Sequence, residues 1–324
     1  MGYKFYRNSL NDFEKNLYDE ILAGLLTMQT KISLKFNKTL KVSKIYYAVL
    51  FDNPFIYYAG GFKYSYIPIL CQHEIFPEYL IDISKKQNLD KKIHEIGNML
   101  LNKCVNSDIF ETILKFHDII GKNVIYEDID MNSHSILGVL LNKKGVCEGI
   151  AKTFKYLCDK VGIECIYVHG KAKGDVNSIN HSWNKVKIND KWYNVDVTYD
   201  MKKEDFPFVK HDYFLLSDKK IENTHIEINV FEKIRCYDEK LTFYETKKCI
   251  VNSRSEMVEF IKKKILQKEL IMEFKLSYVK NITDLIKELK HSIHIVYTKL
   301  MLEGQYVYSY NEELMNVLIK FEIN

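Results

Sequence analysis

The sequence predicts an α+β protein whose centre is one helix packed on an antiparallel sheet. An apolar stripe at helical spacing starts directly after Cys147 and ends at Gly162, and a two-residue turn at Asn189-Asp190 joins two strand-like runs. The pattern changes on either side of this centre. It divides the chain into an N-terminal α+β and helical region over 1–120, a core over 121–235 and a small C-terminal α/β domain over 236–324.

A chain of 324 residues with 47% hydrophobic and 28% charged residues has enough apolar surface to fold and too little charge bias to be disordered. Lys and Arg number 47 against 43 Asp and Glu, so the net charge of +4 gives no electrostatic case for nucleic acid or a membrane surface. Seven cysteines without a CxxC pair fit neither a disulfide framework nor a zinc knuckle, and a reducing compartment is expected. The apolar run at 21–28 is too short for a signal or a membrane span, which predicts a cytoplasmic location.

In order, Asn11 with Glu14 forms a capping box that opens an amphipathic helix to about Thr30. Residues 45–51 and 62–67 are read as strands around the turn former Asp52-Asn53-Pro54, and helices are expected over 90–104 and 108–120. Beyond 241, Ser253 with Glu256 and Asn281 with Asp284 each cap a helix. Residues 270–274, 293–297, 305–310 and 317–323 are read as strands.

Cys147 stands where its helix begins, followed by Ile150, Phe154, Leu157, Cys158 and Val161 on one face. The positive end of a helix stabilises a thiolate, which favours Cys147 over the other six cysteines as a nucleophile. Cys158 on the apolar stripe and Cys165 in a strand-like run read as packing residues. With Asn189 and Asp190 as the turn, facing residues sum to 379: Trp183 opposes Asp196, and His181 opposes Thr198. His181 and Asp196 then share one face as diagonal neighbours, and a one-residue slip would separate them. A thiol, an imidazole and a carboxylate in this arrangement are the nucleophile, base and orienter of thiol acyl transfer.

Gly145-Val146-Cys147-Glu148-Gly149, then His181-Ser182-Trp183-Asn184 and Lys191-Trp192-Tyr193-Asn194-Val195-Asp196, resemble the transglutaminase-like core of bacterial proteins over about residues 121–218. The resemblance implies a papain-like α+β core, with the Cys147 helix against the sheet that carries His181 and Asp196, and it gives those three residues the roles of a catalytic triad. Two positions depart from the pattern: Ile150 stands where an aromatic is common and Tyr199 where a Trp is common.

The expected activity is acyl transfer on protein or peptide amide bonds through a Cys147 thioester, hydrolysis being favoured over amine cross-linking. The alternative is an inactive binding or scaffold module on the same fold. No cofactor or metal is expected, since His291 with His294 and His211 with His225 lack a cysteine or carboxylate cluster at ligand spacing.

Overall fold

Asn11 opens helix α1 (Asp12–Leu26) by accepting from the Glu14 N–H at 3.0 Å, while the Glu14 carboxylate takes the Asn11 N–H at 3.2 Å. Both halves of the capping box are therefore present in this computed structural model, which describes residues 2–37, 40–174, 178–203, 206–228 and 231–323. Strand β1 (Ile32–Lys35) follows, then helix α2 (Val42–Asp52).

That second helix corrects the strand expected over 45–51. Val42, Ile45, Tyr46 and Val49 are buried at helical spacing, so packing overrides the strand preference of β-branched and aromatic residues. Strands β2 (Ala59–Ile67) and β3 (Gln72–Tyr79) form the expected hairpin, and β1 adds to the free side of β3. Helices α3 (Ile83–Cys104) and α4 (Ile109–Asn123) come next, capped by the side chains of Asp82 and Asp108.

The centre is helix α5 (Cys147–Lys160) on an antiparallel five-stranded sheet. Its strands are β4 (Cys165–Ala172), β5 (Ile179–Ile188), β6 (Lys191–Val195), β7 (Phe214–Leu216) and β8 (His225–Glu227), in the order β8-β4-β5-β6-β7. Asn189 and Asp190 turn with φ of 49° and 61°, and the register from Ile188↔Lys191 to Asn184↔Val195 is the expected one. The second strand stops at Val195 rather than running to 198. Asp196 accepts from the N–H groups of Thr198 and Tyr199 and so caps a short helix, α6 (Val197–Asp200).

The C-terminal part has its own sheet, from β9 (Ile250–Val251), β10 (Ile271–Leu276), β11 (Gly304–Asn311) and β12 (Asn316–Ile323), ordered β9-β10-β12-β11. Helices α7 (Arg254–Leu266) and α8 (Ile282–Leu300) accompany it, each capped by the residue expected, Ser253 and Asn281. Residues 293–297 lie inside α8 and not in a strand, because Leu285, Leu289, Ile293 and Val296 bury one helical face.

Two hydrophobic clusters hold these layers. One takes in α1, α2, α4, α5 and the five-stranded sheet, joining residues as distant as Tyr6 and Phe214; the other runs from Tyr244 to Phe321. Buried Lys155 ties the N-terminal segment to the centre by donating to the carbonyls of Tyr3 and Cys165 and to the Asp159 carboxylate. No helix among the described residues is long and apolar enough to cross a membrane.

Candidate active site

The backbone brings Cys147 to the first position of α5 through a tightly packed approach. Residues 125–126 pair in parallel with 144–145, and the Val146 N–H donates to the Ser133 carbonyl at 3.0 Å. Val146 is extended and gives no side-chain cap, so the first N–H groups of α5 are not taken by a capping side chain. Gly149 lets the helix press on the strip 133–135: a Cβ there would lie 2.4 Å from the Ser133 carbonyl oxygen.

Cys147 is half-buried, and Cys71 is the other cysteine of that class; the remaining five are buried. The Tyr126 side chain lies beside Cys147. Burial and the nearby Cys147 push this phenol up to about 12.

His181 lies on β5 opposite Gly170 of β4. Its Nε2–H donates to Asp196 Oδ2 at 2.6 Å, which leaves Nδ1 as the ring nitrogen not engaged by the carboxylate. Burial acts against the imidazolium, but the Asp196 charge, the bond to Asp196 and the nearby Cys147 outweigh it and raise His181 to about 10. Asp196 is fully buried, and burial alone would push its carboxyl up. The charge of His181 and the bonds from His181 and His225 hold it well below the usual carboxylate range.

The sequence reading missed His225 as a partner of Asp196. Its Nε2–H donates to the same Oδ2 at 2.8 Å, and its Nδ1 accepts from the Thr224 hydroxyl at 2.7 Å. No local motif marks this residue. The pairing of β8 with β4, His225↔Ala172, carries it to the carboxylate. Tyr199 covers both rings, with centroids 5.0 Å from His181 and 4.8 Å from His225.

Of the other aromatics near the motif, Trp183 is buried with its Nε1–H on Asn194 Oδ1 at 3.1 Å, and Tyr193 is buried in the core. Trp192 packs on Tyr3 with centroids 5.6 Å apart. Beside the Cys147 turn lies a cavity of about 380 Å³ walled by Phe51, Tyr57, Tyr167, His134, Glu148 and Lys152. Burial pushes Glu148 up, but the charge of Lys152 and a bond from His134 bring it down to about 2, so it is an anion at neutral pH.

The expectation that His211 and His225 lack a carboxylate cluster is corrected: the two do not pair with each other, but His211 stands with His117 and Asp118, and His225 with His181 and Asp196, because carboxylates distant in sequence are brought to them by the fold.

Residues 100–197, a segment that includes Cys147, His181 and Asp196, match the family model described as the transglutaminase-like superfamily. Over these residues the chain is thus similar to the transglutaminase-like superfamily, and the fold that holds them is α+β, a helix on an antiparallel sheet. Kyphoscoliosis peptidase from mouse is 25% identical over 104 residues, which is 28% of this chain and 16% of that protein; the human protein matches to the same extent. The match therefore spans about one sixth of the length of these curated relatives. Among solved structures, a Cytophaga hutchinsonii protein described as a proposed cysteine protease is 16% identical, with 48% of this chain and 56% of that one covered and a TM-score of 0.32. A structure titled as a TGase is 14% identical, covering 52% of this chain and 50% of its own, with a TM-score of 0.31.

Proposed function

We propose that this chain is a thiol enzyme that transfers acyl groups from protein or peptide amides, with Cys147 as nucleophile, His181 as acid and base, and Asp196 as the residue that orients His181. The observation that supports this most directly is that the His181 imidazole bonds to the buried Asp196 carboxylate at 2.6 Å and lies close enough to Cys147, at the start of a helix, for that thiol to help raise its pKa. A cation beside the sulfur and the positive end of α5 both favour the thiolate.

In the first step the Cys147 sulfur attacks the amide carbonyl carbon and the π pair moves to oxygen, where the Cys147 N–H stabilises it. His181 gives the Nδ1 proton to the amide nitrogen, the C–N bond breaks, and an amine leaves a thioester behind. In the second step neutral His181 takes a proton from water as its oxygen attacks the thioester. The C–S bond breaks, the carboxylic acid departs, and the thiolate and imidazolium are restored. A primary amine in place of water would give cross-linking by the same steps.

Hydrolysis is the favoured outcome, because water is the acceptor present in excess and cross-linking further requires a site that excludes it and admits a lysine-like amine. The test measures both products from one preparation: release of new amino termini from an unfolded protein, and incorporation of a fluorescent primary amine into it. Cys147→Ala abolishes whichever signal is present. Amine incorporation in excess of cleavage overturns the hydrolytic assignment, and full activity in Cys147→Ala overturns the whole reading.

A further inference from the structure

A second group of histidines and carboxylates lies outside the Cys147 site. His117 and Asp118 stand on α4, and His211 precedes β7. Two ring nitrogens converge on one oxygen: His117 Nδ1 is 3.0 Å and His211 Nε2 2.9 Å from Asp118 Oδ1. The opposite nitrogen of each ring meets a buried carboxylate, His117 Nε2 with Asp200 Oδ2 at 3.2 Å and His211 Nδ1 with Glu273 Oε2 at 2.7 Å.

Each ring thus lies between an inner and an outer carboxylate, and the two ring centroids are 5.3 Å apart. With a divalent ion at the point of convergence, each ring would donate the N–H of its outer nitrogen to the outer carboxylate and turn the lone pair of its inner nitrogen toward the ion, which is the usual carboxylate–histidine–metal arrangement.

The surrounding charge points the same way. Asp118, Asp200, Asp212 and Glu273 gather here, and among the described residues the one lysine or arginine paired with any of them is Lys210, 3.3 Å from Asp212. Asp200 is wholly buried, and its Oδ1 has no hydrogen-bond partner.

We propose that His117, Asp118 and His211 bind one divalent transition-metal ion of the zinc type, with Asp200 and Glu273 as the outer carboxylates. The three ligand atoms lie within 4.8 Å of one another, and the Asp118 side chain is 44% exposed, which provides an entry path and a position for a water ligand. Two imidazole nitrogens select zinc or cobalt over magnesium or calcium. The ion joins α4 to the segment before β7 and, through Glu273, to β10 of the C-terminal sheet. Asp200 also places it at the end of α6, the helix that Asp196 caps.

The other convergent set, His181, Asp196 and His225, lacks these features. The outer nitrogen of His225 meets the Thr224 hydroxyl rather than a carboxylate, and the side chains of the set are 1–6% exposed, which closes off an entry path.

The test strips the full chain with a chelator and titrates it with Co²⁺ and then Zn²⁺, reading bound metal by elemental analysis, the visible Co²⁺ bands and the melting temperature. Wild type is expected to take up one equivalent and to melt higher when loaded. Asp118→Ala and His211→Ala lose the equivalent, Glu273→Gln binds about 10–100-fold more weakly, and His225→Ala keeps it. Asp118 is exposed enough that its variant folds and reports on the site even where His211→Ala does not. The proposal is overturned by folded wild-type protein that takes up no Co²⁺ or Zn²⁺, or by metal that persists in Asp118→Ala and is lost in His225→Ala.

Discussion

His225 donates to Asp196 Oδ2 at 2.8 Å, on the same oxygen that receives His181. A buried carboxylate with two imidazole donors on Oδ2 and two backbone donors on Oδ1 cannot rotate without losing several bonds at once. The orientation of His181 therefore depends on a residue from the far edge of the sheet.

His225→Ala removes a hydrogen bond to a charged group, worth about 1.5–3 kcal/mol. The variant is expected to melt lower and to turn over substrate more slowly, with the loss smaller than in His181→Ala. His225→Gln, which retains an N–H donor, recovers part of both. Thermal melts and kcat of the three variants check this, and a His225→Ala enzyme equal to wild type in both would remove His225 from the site.

The pH dependence follows from the sign of the His181 shift. Its folded value, about 10, lies above the usual 6.5, so the stability it contributes is fully present below pH 6.5 and is lost as pH rises through about 10. Cleavage of amides, which needs the imidazolium proton for the leaving amine, is expected to fall along the same alkaline limb. Asp196→Asn shifts that limb toward neutral pH. Cleavage of an activated ester, whose leaving group needs no proton, is much less affected. Paired pH–rate profiles for an amide and an ester decide the point.

Gly149→Ala places a Cβ 2.4 Å from the Ser133 carbonyl oxygen and 3.0 Å from that of Ser135. Relief of the overlap shifts the start of α5 away from its support, at a cost of about 1–3 kcal/mol. The expected result is a lower denaturation midpoint together with slowed alkylation of Cys147, followed by mass spectrometry, while alkylation of Cys71 is unchanged.

Lys155→Ala leaves the Tyr3 and Cys165 carbonyls and the Asp159 carboxylate without their shared donor. Removal of one partner from a buried ion pair costs about 3–5 kcal/mol. Urea unfolding is expected to show a loss of that order. A change below about 0.5 kcal/mol, the usual range for surface substitutions, would contradict the role of Lys155 as the tie between the N-terminal segment and α5.

Much of the centre of this protein was legible in the sequence because it is local. Gly162 ends α5 with φ of 76°, and Asn189-Asp190 fixes the hairpin register that brings His181 within reach of Asp196. Local preference misled where packing opposed it. Residues 45–51 and 293–297 are rich in β-branched and aromatic side chains, yet both are helical because their apolar positions recur on one helical face that is buried.

The capped helices, the hairpin and its register, and Cys147 at the start of its helix were readable from the residues alone, since each depends on positions a few apart. That His225, 29 residues from Asp196 in the chain, shares its carboxylate, and that His117 and His211 meet at Asp118, came from the closed fold. Strand order and the packing of one layer on another make those contacts. Periodicity and turn chemistry describe a chain only over the length of one element or hairpin, and they carry no signal for which distant side chains the closed fold will bring together.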